Sequence, residues 1–322
     1  MDQLNLDAIQ SRTLLASDTD KHIFFGVDNK FIAHALITLM SLAEHAGASA
    51  FHFHLISSDL NDADAARFTA VLAGTGHGLT LHHAGSDLFV SLPTTQLFTR
   101  ATYYRLLAPK LIPNAGKVLY LDADMVCISN PDALWSLPFD EEAIALVVAE
   151  SDPLQARLAA NVGLRGSAYF NAGMMLIDIA RWNRAAISEQ ALQVLTTRGQ
   201  RLQYLDQDAL NTVLEGRVNY IERRFNYIEM LAHDAQGYQR DVPPDTCIIH
   251  YAGADKPWQA WNQQHVCRHY RAVYQRSPLS ERPFDRPLEA QQAKKMYKSL
   301  FRSRRLCSGV YWWIRYYQMR YV

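Results

Sequence analysis

The stretch Lys117-Val118-Leu119-Tyr120-Leu121-Asp122-Ala123-Asp124-Met125-Val126 decides how this chain is read. An apolar run with β-branched and aromatic members stops at two carboxylates one residue apart. The run predicts a buried strand over residues 118–121 that leaves its sheet at Asp122. In open α/β sheets, ligands bind at the carboxyl ends of strands. Two carboxylates at such an end make a hard, oxygen-rich site suited to Mg²⁺ or Mn²⁺, with positions left for water and phosphate oxygens. Asp-x-Asp also occurs in plain solvated turns, so the surrounding chain has to decide between the two.

Upstream, residues 22–27 predict a first strand that ends at Asp28-Asn29, and residues 31–45 a helix stopped by Gly47. Residues 51–56 predict a second strand. Asn61 is a candidate N-cap for a helix to about residue 73, and residues 79–82 form a short third strand. Strands alternating with helices predict βαβ units and a largely parallel sheet. Gly74-Thr75-Gly76-His77-Gly78 follows a helix and precedes a strand, the reverse of a dinucleotide loop, so it predicts a turn. His52 and His54 share one strand face and read, with His82-His83, as a polar sheet face. Residues 102–109 predict a helical turn ended by Pro109. Arg105 on that turn either holds a phosphate or carboxylate or is a surface charge.

Downstream, Asn130-Pro131 is a turn and residues 143–148 are another buried strand. Asn171-Ala172-Gly173 interrupts an apolar run, which marks either a close approach of backbone to ligand or a bulge. Arg181-Trp182-Asn183 opens a predicted helix to about residue 198. Residues 204–211 begin the next, with Asp206 as candidate N-cap. Helix N-termini of that kind suit a sugar or phosphate. Residues 248–258 repeat the shape of the opening stretch. A strand delivers His250 at its end, Gly253 turns the chain, and Lys256 follows. The histidine either completes a metal shell or is structural. The lysine is able to bind a diphosphate as a point charge.

The 322 residues suffice for one large or two small domains, and 49% apolar content gives a sizeable core. Basic and acidic residues number 32 each, but their placement is uneven. Residues 290–322 hold eight basic side chains and no acidic one, leaving 24 basic against 32 acidic elsewhere. Such a tail points to an anionic partner. Tyr311, Trp312, Trp313, Tyr316 and Tyr317 interleave with Arg315 and Arg320, as in a helix lying in a membrane interface. The start, Met1-Asp2-Gln3-Leu4-Asn5, has neither the basic segment nor the apolar run of a signal peptide. No run of about 18 apolar residues predicts a membrane span. Four scattered cysteines suggest reduced thiols rather than a disulfide framework or zinc knuckle.

Six blocks, in order, resemble the family 8 retaining glycosyltransferases, and within them the bacterial enzymes that extend the lipopolysaccharide core. They are Phe25-Gly26-Val27-Asp28-Asn29, Tyr104-Arg105-Leu106, Val118-Leu119-Tyr120-Leu121-Asp122-Ala123-Asp124, Phe170-Asn171-Ala172-Gly173, Asp206-Gln207-Asp208-Ala209-Leu210-Asn211 and the run from His250 to Trp258. The resemblance implies an α/β glycosyltransferase-A fold, a Rossmann-like αβα sandwich. Residues 1–275 would form the nucleotide-sugar-binding catalytic domain, and 276–322 a helical, basic and aromatic, membrane-associating tail. It implies Mn²⁺ or Mg²⁺ on Asp122, Asp124 and His250, gripping the donor diphosphate, with Gly253 and Lys256 on the same diphosphate. Gly26, Val27, Asp28 and Asn29 would line the uridine pocket. Arg105, Asn171, Asp206 and Gln207 would surround the transferred sugar, and Ala123 would complete the donor side between the two carboxylates.

The implied reaction moves glucose or galactose from a UDP-hexose to a hexose of the lipopolysaccharide core. An amide is a poor nucleophile, so same-face transfer is expected, with Gln207 as an electrostatic and positioning group and Asp206 beside it. The enzyme is expected to be cytoplasmic and peripheral on the anionic cytoplasmic face of the inner membrane. A nucleotide-sugar hydrolase would share the cation site but need neither acceptor surface nor tail. A nucleic-acid-binding protein would also use basic and aromatic residues, but an acidic site in the same chain fits that partner badly.

Overall fold

The computed structural model describes residues 4–321. The opening Met1-Asp2-Gln3, on which part of the signal-peptide reading falls, lies outside the described residues. Two compact units are present. One runs up to Ile228 and takes in Asp245–His250; the other comprises Glu229–Pro244 and the chain from Tyr251 onward.

The first unit is built on a sheet of eight strands. They are β1 (Ile9–Leu15), β2 (His22–Gly26), β3 (His52–Ser57), β4 (Gly78–Ala84), β5 (Lys117–Leu121), β7 (Ala145–Ala149), β8 (Phe170–Asp178) and β9 (Val218–Tyr220), in spatial order β1-β4-β3-β2-β5-β8-β7-β9. A second, three-stranded sheet has the order β10 (Tyr227–Glu229), β11 (Ile248–Tyr251), β6 (Met125–Cys127). The α/β class is as expected, but the large sheet is mixed rather than largely parallel. β2, β3, β4 and β5 run parallel, whereas β1 is antiparallel to β4, and β8 is antiparallel to both β5 and β7. A buried apolar run looks the same in either direction, so strand sense depends on which edge the connection enters from. β1 was not foreseen: it is a mostly exposed edge strand without an apolar signature.

Strand β5 pairs with β8 so that Leu121 faces Met174, and the Asp122 N–H donates to Gly173 O at 2.8 Å. The carboxyl end of one strand therefore meets the amino end of the next, which is where the Asn171-Ala172-Gly173 run lies. The helix Ile32–Glu44 covers the Asp122–Asp124 turn, and the Thr38 hydroxyl sits 3.0 Å from Ala123 O and 2.8 Å from Met125 O. Asn61 caps the helix Asp62–Leu72 by accepting from Asp64 N, as expected. The opposite sheet face carries a large apolar cluster, with Phe24, Tyr103, Tyr120 and Trp182 fully or nearly fully buried.

Three local expectations are corrected. Pro109 does not end a helix; it lies in the first turn of the helix Ala108–Leu111, which continues the 3-10 segment Arg100–Leu107. The helix expected from 181 to 198 is two helices, Ile179–Arg184 and Ile187–Arg198, because Ala186 turns to φ 51°. Tertiary contacts impose that break: Trp182 Nε1 donates to Ser188 Oγ, which donates to Leu106 O. Asp206 is not the N-cap of Leu205–Val213. Tyr204 holds that place, its N–H donating to Asp208 Oδ2 at 2.8 Å, while Asp206 turns inward.

The histidines of the sheet form a hydrogen-bonded ladder. His22 Nδ1 lies 3.0 Å from His54 Nε2, His54 Nδ1 lies 3.1 Å from His82 Nε2, and Ser11 Oγ closes it at 2.7 Å from His82 Nδ1. His52, His54 and His82 are thus buried and hydrogen-bonded within the sheet, whereas His83, read with them, points the other way and is exposed.

In the second unit, Glu289 and Gln292 form a capping box at the start of the helix Ala290–Arg302. That helix is tied down by Lys295 Nζ on Asp255 Oδ2 at 2.6 Å and by buried Leu300. The helix Leu306–Tyr321 packs back on it through Gly309, where a Cβ would come within 2.5 Å of the Phe301 ring. Its outer side exposes Leu306, Val310, Trp313, Ile314, Tyr317 and Tyr321, spaced as one helical face. Among the described residues, no helix is long and apolar enough to cross a membrane.

Candidate active site

Two sheets converge on Asp122 and Asp124. The first carboxylate leaves β5. The second immediately precedes β6, whose partner β11 sets His250 directly opposite Met125. The pairing brings together residues more than a hundred positions apart. His250 Nε2 lies 3.3 Å from Asp124 Oδ1 and 3.9 Å from Asp122 Oδ2. One ligand atom from each of the three residues falls within 4.8 Å of the others.

Gly173 makes this approach possible. A Cβ there would stand 2.5 Å from His250 Cε1, 2.7 Å from Asp122 Oδ2 and 2.9 Å from Asn171 Oδ1. Any larger residue would fill the space between the donors. Two carboxylate oxygens and an imidazole nitrogen, gathered around a position kept clear by glycine, fit Mn²⁺ or Mg²⁺.

Arg105 is buried, not a surface charge. Its Nη2 donates to Asp122 Oδ1 at 2.8 Å, its Nη1 to Ala172 O at 2.7 Å, and its Nε lies 2.8 Å from Asp206 Oδ2. Burial pulls its pKa down, but Asp122 and Asp206 more than offset this and hold the guanidinium above its ordinary range. Tyr120 adds an O–H donor to Asp122 Oδ1 at 2.8 Å. Asp122 therefore has one oxygen engaged by Arg105 and Tyr120, and the other turned toward His250. Asp206 is only 2% exposed and accepts from Thr102 Oγ1 at 2.6 Å. Burial pushes its pKa up to about 6, with Arg105 and Thr102 opposing.

Gln207 is half-buried. Its Oε1 accepts the Ala172 N–H at 3.0 Å, and its Nε2 lies 3.4 Å from Tyr169 OH, which donates to Asp208. Ala172 is thus a backbone node, its N–H on Gln207 and its carbonyl on Arg105. Asn211 clips the same helix to β8 by exchanging two 2.9 Å hydrogen bonds with the backbone of Phe170.

The remaining candidates are more dispersed. Ala123 is buried in the turn between the carboxylates. Asn171 is buried, with its amide nitrogen on Glu150 Oε2 at 3.0 Å. Gly26 is small because Tyr104 packs on it; a Cβ would meet the Tyr104 Cβ at 2.6 Å. Val27 is buried. Asp28 accepts from Lys30 N and Thr99 Oγ1, and Asn29 is exposed, with its N–H on Asp59 Oδ2. Gly253 (φ +80°) and Lys256 belong to the second unit, where Lys256 Nζ donates to Tyr251 O at 2.7 Å.

Three residues near the site have no signal in the sequence: Thr38, Glu150 and Asn226. Thr38 lies mid-helix and Asn226 in a polar connection, and neither carries a local signal. Asn211 belongs to the block Asp206–Asn211, and its bonds to the Phe170 backbone show that it fixes the helix to β8.

The family model for glycosyl transferase family 8 matches residues 22–262. Along the chain, similarity extends to a lipopolysaccharide 1,3-galactosyltransferase of Salmonella typhimurium, at 30% identity over 94% of this chain and 93% of that protein. A lipopolysaccharide 1,2-glucosyltransferase of Escherichia coli is 29% identical over 90% and 88%. Among solved structures, the galactosyltransferase LgtC, in complex with donor and acceptor sugar analogs, shares the fold. The TM-score is 0.70 at 24% identity, covering 80% of this chain and 96% of that one.

Proposed function

Because the chain belongs to glycosyl transferase family 8, we propose that it transfers glucose or galactose from a UDP-hexose to a hexose of the lipopolysaccharide outer core, with retention of configuration. The observation that carries this reading is the convergence of Asp122, Asp124 and His250. Near-complete coverage of two lipopolysaccharide hexosyltransferases supports the acceptor class. Mn²⁺ or Mg²⁺ held by those three residues would act as a Lewis acid toward the charge left on the departing diphosphate.

The chain's own residues then divide the work. Gly26, Val27, Asp28 and Asn29 line the nucleoside side, and Gly253 and Lys256 hold the diphosphate. Arg105, Ala123 and Asn171 shape the donor pocket around the sugar. Gln207 stands at the sugar through an amide oriented by the Ala172 N–H. Asp206, paired with Arg105 and accepting from Thr102, orients rather than attacks. That distribution supports same-face transfer, with Gln207 stabilising the oxocarbenium-like state.

Residues 1–275 bind donor and acceptor, and residues 276–322 hold the enzyme at the anionic cytoplasmic face of the inner membrane. The exposed apolar face of the helix Leu306–Tyr321, in a segment without acidic residues, supports that role. Nucleic acid has no part in this reading. The test is a panel of UDP-sugars with truncated lipopolysaccharide acceptors, with product linkage read by NMR. Transfer from UDP-glucose or UDP-galactose is expected. UDP release that ignores the acceptor would make the chain a hydrolase instead.

A further inference from the structure

Behind His250 runs a line of buried amides whose direction is set from its far end. The Gly173 N–H donates to Asn171 Oδ1 at 3.0 Å. A backbone N–H has only one role, so it fixes which end of the Asn171 amide is oxygen. Asn171 Nδ2 must then point the other way, and it does, onto Glu150 Oε2 at 3.0 Å. The second oxygen of Glu150 accepts from Ser151 N at 2.8 Å, so this carboxylate is an acceptor on both sides. Asn171 Oδ1 takes its other hydrogen bond from Asn226 Nδ2 at 3.1 Å. With its nitrogen so committed, Asn226 turns Oδ1 to His250 Nδ1, 3.1 Å away. An oxygen that only accepts requires that Nδ1 carry a proton.

We propose that Asn226 is a positioning residue that reserves Nδ1 of His250 as a donor, so that Nε2 is the atom presented to a divalent cation between Asp122 and Asp124. The inference rests on the cation reading of that cluster. Glu150, Asn171, Asn226 and His250 are all buried, between 1% and 7% exposed, so no bulk water competes for these bonds. The imidazole cannot rotate to exchange its nitrogens without leaving two polar atoms unmatched in the interior. A metal-bound histidine held through its other nitrogen keeps its tautomer and ring orientation, and losing such a partner typically weakens metal binding about 10- to 100-fold.

The experiment uses the full chain with ¹⁵N-labelled histidine, under mildly alkaline conditions where free imidazole is neutral. His250 is identified by the signal missing in His250→Gln. Nδ1 of His250 is expected to carry its proton with and without Mg²⁺. In parallel, calorimetric titration with Mn²⁺ compares the wild type with Asn226→Ala. The variant is expected to bind about 10- to 100-fold more weakly, with an unchanged circular dichroism spectrum and loss of the fixed Nδ1–H signal. An unprotonated Nδ1 in the wild type overturns the proposal, as does wild-type Mn²⁺ affinity in a folded Asn226→Ala. If that variant does not fold, the wild-type spectrum decides alone. A wild-type chain that binds no Mn²⁺ sinks the cation reading, and the Nδ1 signal still judges the relay.

Discussion

Arg105 Nε lies 2.8 Å from Asp206 Oδ2, and both residues are buried. Since the same guanidinium also holds Asp122, one cation pairs with two carboxylates delivered by separate elements. Removing one partner of such a set leaves an uncompensated buried charge, which is far costlier than the net worth of the pair. Asp206 is thereby committed to the framework, and the more accessible side chain at this helix start is Gln207.

The catalytic consequence is tested at Gln207. The Gln207→Ala variant is expected to keep a small residual transfer activity and still give the α-anomer, read by NMR of the product. A sugar adduct trapped on Gln207 and seen by mass spectrometry would overturn same-face transfer. An adduct on Asp206 would instead establish a double displacement.

Replacing Asp124 by Asn removes a charged donor while keeping its shape. Transfer should drop by several orders of magnitude, and the circular dichroism spectrum should not change. Full activity of this variant in the presence of a chelator would sink the metal role of the cluster.

For the tail, a cut near Gln291 would remove the helix that carries buried Leu300 and the Lys295–Asp255 ion pair, so surface substitutions are the cleaner probe. Trp313, Ile314 and Tyr317 share the exposed face. Replacing all three by Ser should leave UDP binding intact and reduce sedimentation with anionic vesicles. Each basic residue near the surface adds roughly 1 kcal/mol at most, so wild-type binding should fall with salt. Undiminished vesicle binding by the triple variant would rule this face out as the anchor.

The histidine ladder, with His52 stacked on His54, sets a pH dependence. Burial lowers His52 and His82 to about 4 and holds His54 well below the ordinary 6.5. Unfolded, these rings titrate near their ordinary value, so in that window the unfolded chain binds more protons than the folded one. Stability should be fully present above the unfolded value and fall as pH drops toward 4. Urea midpoints across that range check it, and His82→Asn should flatten the slope. A midpoint that does not move with pH would contradict the ladder's neutrality.

The amino-acid sequence by itself determined the α/β class, the strand that ends at Asp122, the polar histidine face, the Asn61 cap and the basic, aromatic end of the chain. These follow from short-range signals: apolar runs, period-two alternation, capping chemistry and local charge. Only the tertiary structure decided that β8 runs against both β5 and β7, that Asp206 turns inward, and that His250 reaches Asp124. The Arg105 ion pairs and the relay through Asn226 belong with these. Strand direction, the Ala186 break and the amide relay depend on partners far away in the chain, and a buried polar side chain shows its role only when the groups that satisfy it are in place.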